Sequence, residues 1–162
     1  MPITYQIGDA TQPAGSGAKV LVHVCNDIGG WGRGFVVAIS KRWPEPEQQF
    51  RAWYRGGEGI PAFALGEVQF VEVPPDLTVA NVVGQHGIGT RQKTPPVRYE
   101  AIRQGLRTVA AFAAERSASV HMPRIGCGLA GGKWEEIERL VTEELVARGV
   151  VVTVYDLPAA TP

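Results

Sequence analysis

The sequence predicts a three-layer α/β domain with a mixed central sheet between helices, and three observations carry that prediction. Apolar runs of strand length alternate with segments of helical period. Glycine-rich stretches stand where strands give way to helices, at 29–34 and 126–132. The 162 residues, 44% hydrophobic and 20% charged, suit one domain with a real core. A single domain over 1–157 is expected, with 158–162 as a disordered tail.

Each element has its own reason. Ile3 to Ile7 alternates apolar and polar residues and reads as a first strand. Lys19–Cys25 (KVLVHVC) is a near-continuous apolar run, as in a strand covered on both faces. The loop NDIGGWGRG follows, then a short helix over Phe35–Arg42 that Pro44 stops. Pro46 suits the first turn of the next helix, EPEQQFRAWYR. GGEGIP (56–61) connects to two strands, Gly66–Val73 and Leu77–Val83, around the turn signal Pro74-Pro75-Asp76. Gly84–Pro96 reads as a long polar loop, a kind that often carries function in a compact domain. Val97–Arg116 is the clearest helix, with Ile102, Leu106, Val109 and Ala113 on one side. Ser119–Ile125 reads as a strand. Lys133–Arg148 reads as a helix, with Trp134, Ile137, Leu140, Val141, Glu144 and Leu145 at helical spacing, and Val150–Leu157 as a closing strand.

Composition excludes several classes. The 16 basic and 16 acidic side chains cancel, which argues against bulk electrostatic binding to nucleic acid. No apolar run approaches the roughly 20 residues of a membrane span, and MPITYQIGDA lacks the regions of a signal peptide. A cytoplasmic protein with no membrane partner is expected. Cys25 and Cys127 lie in separate apolar segments, so no disulfide framework is expected. Neither has a Cys or His at a usual zinc spacing, and no metal site is expected.

In such sheets ligands bind outside the carboxyl ends of strands, where both glycine loops fall. MPRIGCGLAGGKW (122–134) holds G-x-G-x-x-G at Gly126, Gly128 and Gly131. Open N–H groups in such a turn can cradle a diphosphate; alternatively the glycines only solve a packing problem. A nicotinamide fold would place this motif after the first strand, with a second half still to come; here it follows the penultimate one. That reading is rejected. Cys127 could act as a nucleophile but shows no obvious base, and His121 reads as a satisfied strand residue.

In the first loop, Asn26 and Asp27 end a buried strand and either face a cleft or cap the turn. Gly32 and Gly34, with Gly30 before them, open the following helix as a second anion site. Two such sites facing one cleft suit a nucleotide diphosphate. Asp9, beside Ala10 in IGDAT, either reads an exocyclic amine or caps a turn. Trp31, among glycines, is expected to stack on a ligand or shield one, whereas Trp43, Trp53 and Trp134 are expected to be structural. Arg98 faces either the cleft or solvent.

With both loops in view, the chain from Ile3 to Leu157 resembles a macro domain, the ADP-ribose-binding α/β/α module. IGDAT (7–11) is similar to the family's G-D-[IA]-T segment, whose Asp holds the adenine amine. HVCNDIGGWGRGFVVAI (23–39) is similar to the loop that wraps the distal ribose, and Asn26 takes the place of its last Asn. MPRIGCGLAGGKW resembles the loop that clamps the diphosphate and distal ribose. The resemblance implies ADP-ribose contacts from Ile125, Gly126, Cys127, Gly128, Leu129, Ala130 and Gly131, and from Gln85. Within the family, this loop is most similar to terminal ADP-ribose protein glycohydrolases and ADP-ribose-1″-phosphate phosphatases, and closest to actinobacterial macro domain proteins.

That resemblance implies removal of ADP-ribose from acidic side chains of modified proteins, without cofactor or metal. The eukaryotic glycohydrolase carries a Lys at the end of a central strand and an Asp just after G-C-G-L. Gln85 and Ala130 stand there, and Val36 stands near an Asp of other macro hydrolases. These departures imply a positioned water rather than a Lys-linked intermediate. Asn26 would then fix the distal ribose, Asp27 or His86 would assist the water, and the 126–131 amides would hold the charge. The alternatives are an ADP-ribose reader without catalysis and an ADP-ribose-1″-phosphate phosphatase.

Overall fold

The computed structural model describes residues 2–56, 62–88 and 94–158. In chain order its elements are β1 (Thr4–Ile7), β2 (Lys19–Asn26), α1 (Phe35–Ser40), α2 (Glu45–Tyr54), β3 (Val68–Val73), β4 (Leu77–Gln85), α3 (Tyr99–Arg116), β5 (Ser119–Met122), α4 (Trp134–Glu144) and β6 (Val152–Asp156). They form the predicted mixed sheet, in the order β1-β6-β5-β2-β4-β3. All neighbours are parallel except β3 and β4, whose antiparallel pairing follows from the short turn between them. Five strands therefore point their carboxyl ends to one edge, where both glycine loops emerge.

The sheet is covered on both faces. Val20 and Val22 of β2 pack with Ile102, Leu106, Ile137 and Val141 of α3 and α4. The alternate residues Leu21 and Cys25 pack with Ile39, Phe50 and Trp53 of α1 and α2. A two-residue period feeding two cores explains why KVLVHVC reads as one apolar run.

Several boundaries differ from the sequence reading, and three of them have a plain physical basis. β5 stops at Met122, because Pro123 has no N–H to continue the ladder. β4 runs on through Gly84 and Gln85, which the polar-loop reading had assigned to the connection. That connection is pinned at its base: His86 N–H donates to Pro96 O at 2.7 Å and Arg98 N–H to Gly84 O at 2.8 Å. The predicted last helix ends at Glu144, and a 3₁₀ turn over Val146–Arg148 closes at Gly149 (φ 83°), swinging the chain into β6. Glu144 is buried at 3% exposure, accepting from Arg103 at 2.6 Å and from Arg107 and Arg148 at 3.0 Å, which ties α4 to α3.

One polar row crosses the apolar sheet. His23, Asn81 and Gln69 stand at one register on β2, β4 and β3. His23 Nε2 lies 2.5 Å from Asn81 Oδ1, and Asn81 Nδ2 donates to Gln69 Oε1 at 3.1 Å and to Pro46 O at 3.3 Å. Gln69 Nε2 donates to Gln49 O at 2.9 Å. Every buried polar side chain in the row thus has a partner, and α2 is bonded to the sheet beneath it.

Candidate functional site

Two chambers open along the carboxyl edge of the sheet and meet at Phe35 and Pro123. One, about 490 Å³, lies between Asp9–Thr11, Arg42 and Tyr155. The other, about 360 Å³, lies between the two glycine loops, with Gln85 at the end of β4 on its wall. Together they make a bent cleft of the size range that holds a nucleotide-sized ligand.

The second chamber is lined by residues whose backbone N–H groups are open on both walls. On one wall the N–H groups of Gly128, Leu129 and Ala130 carry no hydrogen bond among the described residues. Their neighbours are spent on the turn: Gly131 N–H donates to Gly128 O and Gly132 N–H to Gly126 O. The opposite wall holds Arg33 and Gly34, whose N–H groups are likewise unclaimed among the described residues. The two walls nearly touch, since a Cβ on Gly34 would lie 3.5 Å from Leu129 Cδ1. Convergent open amides are a ready anion cradle. The contribution from α1 itself is smaller than the sequence reading implied, because that helix has only six residues.

Gly128 and Gly132 do different work. A Cβ on Gly128 would meet nothing within 4 Å, so its smallness leaves cleft space rather than relieving a clash. A Cβ on Gly132 would collide with Gly126 O at 2.4 Å, so Gly132 shapes the turn.

In the first chamber, Asp9 Oδ1 accepts from Thr11 N–H at 2.9 Å and from the Thr11 hydroxyl at 2.7 Å, while Oδ2 lies 3.4 Å from Arg42. Burial pushes the Asp9 carboxyl up, but the bonds from Thr11 and Arg42 outweigh it and hold the group below its ordinary range. One oxygen is used by the turn and the other by Arg42, and the residue lines the chamber. Ala10 is buried at 3% exposure and lines the same chamber. Tyr155 forms its base, with its hydroxyl accepting from Ala14 N–H at 2.9 Å and lying 2.7 Å from His121 Nδ1.

Directly after the paired Asn26 and Gln85 the structure brings together two residues that the sequence offered separately. Asp27 Oδ2 lies 2.7 Å from His86 Nδ1, and Asp27 Oδ1 accepts from Gly87 N–H at 2.8 Å. Partial burial raises the Asp27 carboxyl, yet the Gly87 and His86 bonds prevail and keep it ionised below its usual range. Gln85 Nε2 donates to Gly87 O at 3.0 Å, so one short segment fixes all three side chains.

Several expected site residues are placed otherwise. Trp31 does not face the cleft: it is 5% exposed and its ring packs 5.3 Å from His23 and 5.4 Å from Phe50. Its indole N–H donates to Ser40 at 2.8 Å, and that partner lets the ring be buried. Asn26 folds back on its own loop, with Oδ1 accepting from Ile28 and Gly30 N–H and Nδ2 donating to Gly30 O at 2.9 Å. It shapes the loop, and so does Gly30, rather than presenting a full amide to a ligand. Cys127 turns inward to Ile125 O at 3.4 Å. Burial pushes its thiol up more than nearby Arg124 draws it down, the reverse of an activated nucleophile. Gly32 is exposed, and it and Gly131 (φ 76°) lie outside the cleft wall. Ile125 and Gly126 line it as expected.

Sequence reasoning missed Phe35 and Pro123, which divide the chambers, and Arg33 and Arg42, which bring charge to them. An aromatic directly after a glycine loop was the available signal for Phe35. Among the described residues no helix is long and apolar enough to cross a membrane.

No protein-family model matches the chain. The solved structure of a macrodomain protein from Streptomyces coelicolor is 55% identical, with a TM-score of 0.83, covering 95% of this chain and 98% of that one. Among curated proteins, chromodomain-helicase-DNA-binding protein 1-like of Mus musculus is 34% identical over 96% of this chain. The chain spans only 18% of that protein's length. An ADP-ribose 1″-phosphate phosphatase of Candida albicans is 24% identical over 87% of this chain and 92% of its own.

Proposed function

Because this chain belongs to the macro domain family, we propose that it binds ADP-ribose along the two-chambered cleft and hydrolyses the ester joining the distal ribose to an acidic side chain of a modified protein. The single observation that carries the reading is an open-amide chamber with Gln85 on its wall and the Asp27–His86 couple on the residues directly after Asn26 and Gln85. Adenine takes the chamber at Asp9, the diphosphate takes the amides of 128–130, and the distal ribose lies toward Gln85. Asp27, Asn26's neighbour, then stands where the ester would emerge.

The chemistry follows from the bond to be cut. A departing carboxylate is stable as an anion at neutral pH and needs no proton from the protein. The attacking water must lose one. Asp27 accepts the Nδ1 proton of His86, which fixes the tautomer in which the imidazole can take the water proton. The water oxygen bonds to the anomeric carbon, the C–O bond to the side chain breaks, and its electrons leave with the carboxylate. No lysine occupies the place of Gln85, so no Lys-linked intermediate enters. Asn26 contributes by holding the loop that carries Asp27.

The test is a target ADP-ribosylated on Glu, incubated with the protein while released ADP-ribose is followed. Release above a buffer control is expected. Micromolar binding by calorimetry without release would leave a reader of ADP-ribose. The Candida albicans relative motivates a second reading, in which the departing group is phosphate. Faster turnover of ADP-ribose 1″-phosphate than of the Glu ester would favour it.

A further inference from the structure

The loop between β2 and α1 supplies one wall of the second chamber through Arg33 and Gly34. Its backbone is permissive, with Gly29 (φ 75°) and Gly34 (φ 86°) in the left-handed region. Asn26 clasps the loop only as far as Gly30. From there to Gly34 the loop makes one hydrogen bond among the described residues, from the Trp31 indole. That indole opens a closed circuit of side chains. Trp31 Nε1–H donates to Ser40 Oγ at 2.8 Å, and the Ser40 hydroxyl donates to Glu47 Oε1 at 3.0 Å. Arg51 Nε donates to Glu47 Oε2 at 3.0 Å, and Arg51 Nη1 returns to the loop, donating to Gly29 O at 3.4 Å. The circuit thus starts and ends on loop residues two apart and passes through α1 and α2.

We infer that Glu47 and Arg51 are positioning residues for the diphosphate: by holding Gly29 and Trp31 they fix the wall formed by Arg33 and Gly34. The inference rests on the proposed placement of the diphosphate between the two walls. Those walls come within contact distance at Gly34 and Leu129, so a small outward drift of the loop widens the chamber and lengthens every contact from that side. The carboxylate of Glu47 takes the Ser40 hydroxyl proton, which leaves an oxygen lone pair of Ser40 for the indole. The side chains of Glu47 and Arg51 are 34% and 41% exposed, and an ion pair so placed contributes little to stability. Its two extra bonds, to Ser40 and to Gly29 O, are what reach the site.

The experiment combines calorimetry with ADP-ribose, melting curves and the amide resonances of the full chain. Arg51→Met removes both bonds of the guanidinium and keeps an aliphatic stem on α2; Glu47→Gln removes the charge that joins Ser40 to Arg51. Ser40→Ala is the poorer test, because it strands the buried indole N–H. Each of the first two variants should weaken ADP-ribose by about fivefold or more, as a lost hydrogen bond to a charged group does. Each should also shift the Arg33 and Gly34 amide resonances and keep the melting temperature within about 3 °C of the parent. Unchanged affinity in both variants overturns the inference. So does weakened affinity with the Gly34 resonance unmoved, and so does a loss that comes with a larger fall in melting temperature, which would make the circuit structural only. Failure of the parent protein to bind ADP-ribose would instead sink the proposed function, while the resonances would still report whether the circuit holds the loop.

Discussion

His86 Nδ1 lies 2.7 Å from Asp27 Oδ2 although 59 positions separate the two residues in the chain. The contact exists because β2 and β4 are parallel neighbours whose carboxyl ends coincide, Asn26 pairing with Gln85. If the pair supplies the base, His86→Ala and Asp27→Asn should each slow ADP-ribose release by about 10²- to 10⁴-fold. Affinity for ADP-ribose itself should hardly move. The double variant should be no worse than the poorer single one, since the two act as a unit. Single-turnover rates check this, and unchanged release in either variant removes the pair from the chemistry.

The two glycines of the second loop separate ligand space from folding. Gly128→Phe should abolish ADP-ribose binding and leave the melting temperature unchanged, because its side chain would enter open cleft. Gly132→Ala should lower the melting temperature, because its methyl group meets Gly126 O. Melting curves and calorimetry on both variants decide, and retained affinity in Gly128→Phe would contradict the diphosphate placement.

Asp9 can be separated from a general role in the fold by choice of ligand. Asp9→Ala should weaken ADP-ribose by tenfold or more, on the order of one charged hydrogen bond. Ribose 5-phosphate, which lacks adenine, should bind the variant as well as it binds the parent. Equal losses for both ligands would mean that Asp9 serves only the turn it makes with Thr11.

Acid should unfold the protein in a defined window. Burial drives the His23 imidazole down to about 4, partly opposed by its bond to Asn81. Burial, with Lys19 nearby, does the same to His121. Between their ordinary value of 6.5 and about 4 the unfolded chain takes up protons that the folded chain does not. Stability from these two residues is therefore complete above pH 6.5 and declines as pH falls toward 4. The carboxylates of Asp9 and Asp27, held below their ordinary 3.8, add their loss only at still more acid pH. Melting temperatures at pH 7.5, 5.5 and 4.5 should fall in that order; a flat series would mean that neither imidazole is held neutral.

The fold was largely legible because its signals are local and repeated: period in the helices, apolar runs in the strands, proline and glycine at the breaks. Trp31 was misread for the opposite reason. Its glycine neighbours suggest exposure, and only the distant Ser40 hydroxyl and Phe50 ring make a buried indole affordable. Asn26 shows a second limit. An amide at a strand end is equally suited to a ligand or to its own loop, and the choice depends on the path of Ile28–Gly30. The Asp27–His86 contact depends on strand order, which no spacing within either motif reveals.

The row of His23, Asn81 and Gln69 also constrains how the sheet can be assembled wrongly. Shifting β4 by one position would set Ala80 or Val82 beside His23 and Gln69 and turn Asn81 to the opposite face. Three enclosed polar side chains would then lose their partners together, at about 1–3 kcal/mol for each unmet group. Apolar neighbours such as Val79, Ala80 and Val82 could tolerate such a slip with little complaint, since each greasy side chain resembles the next. The polar row works as an alignment key, making the native pairing of three strands and one helix the arrangement that satisfies all of its members.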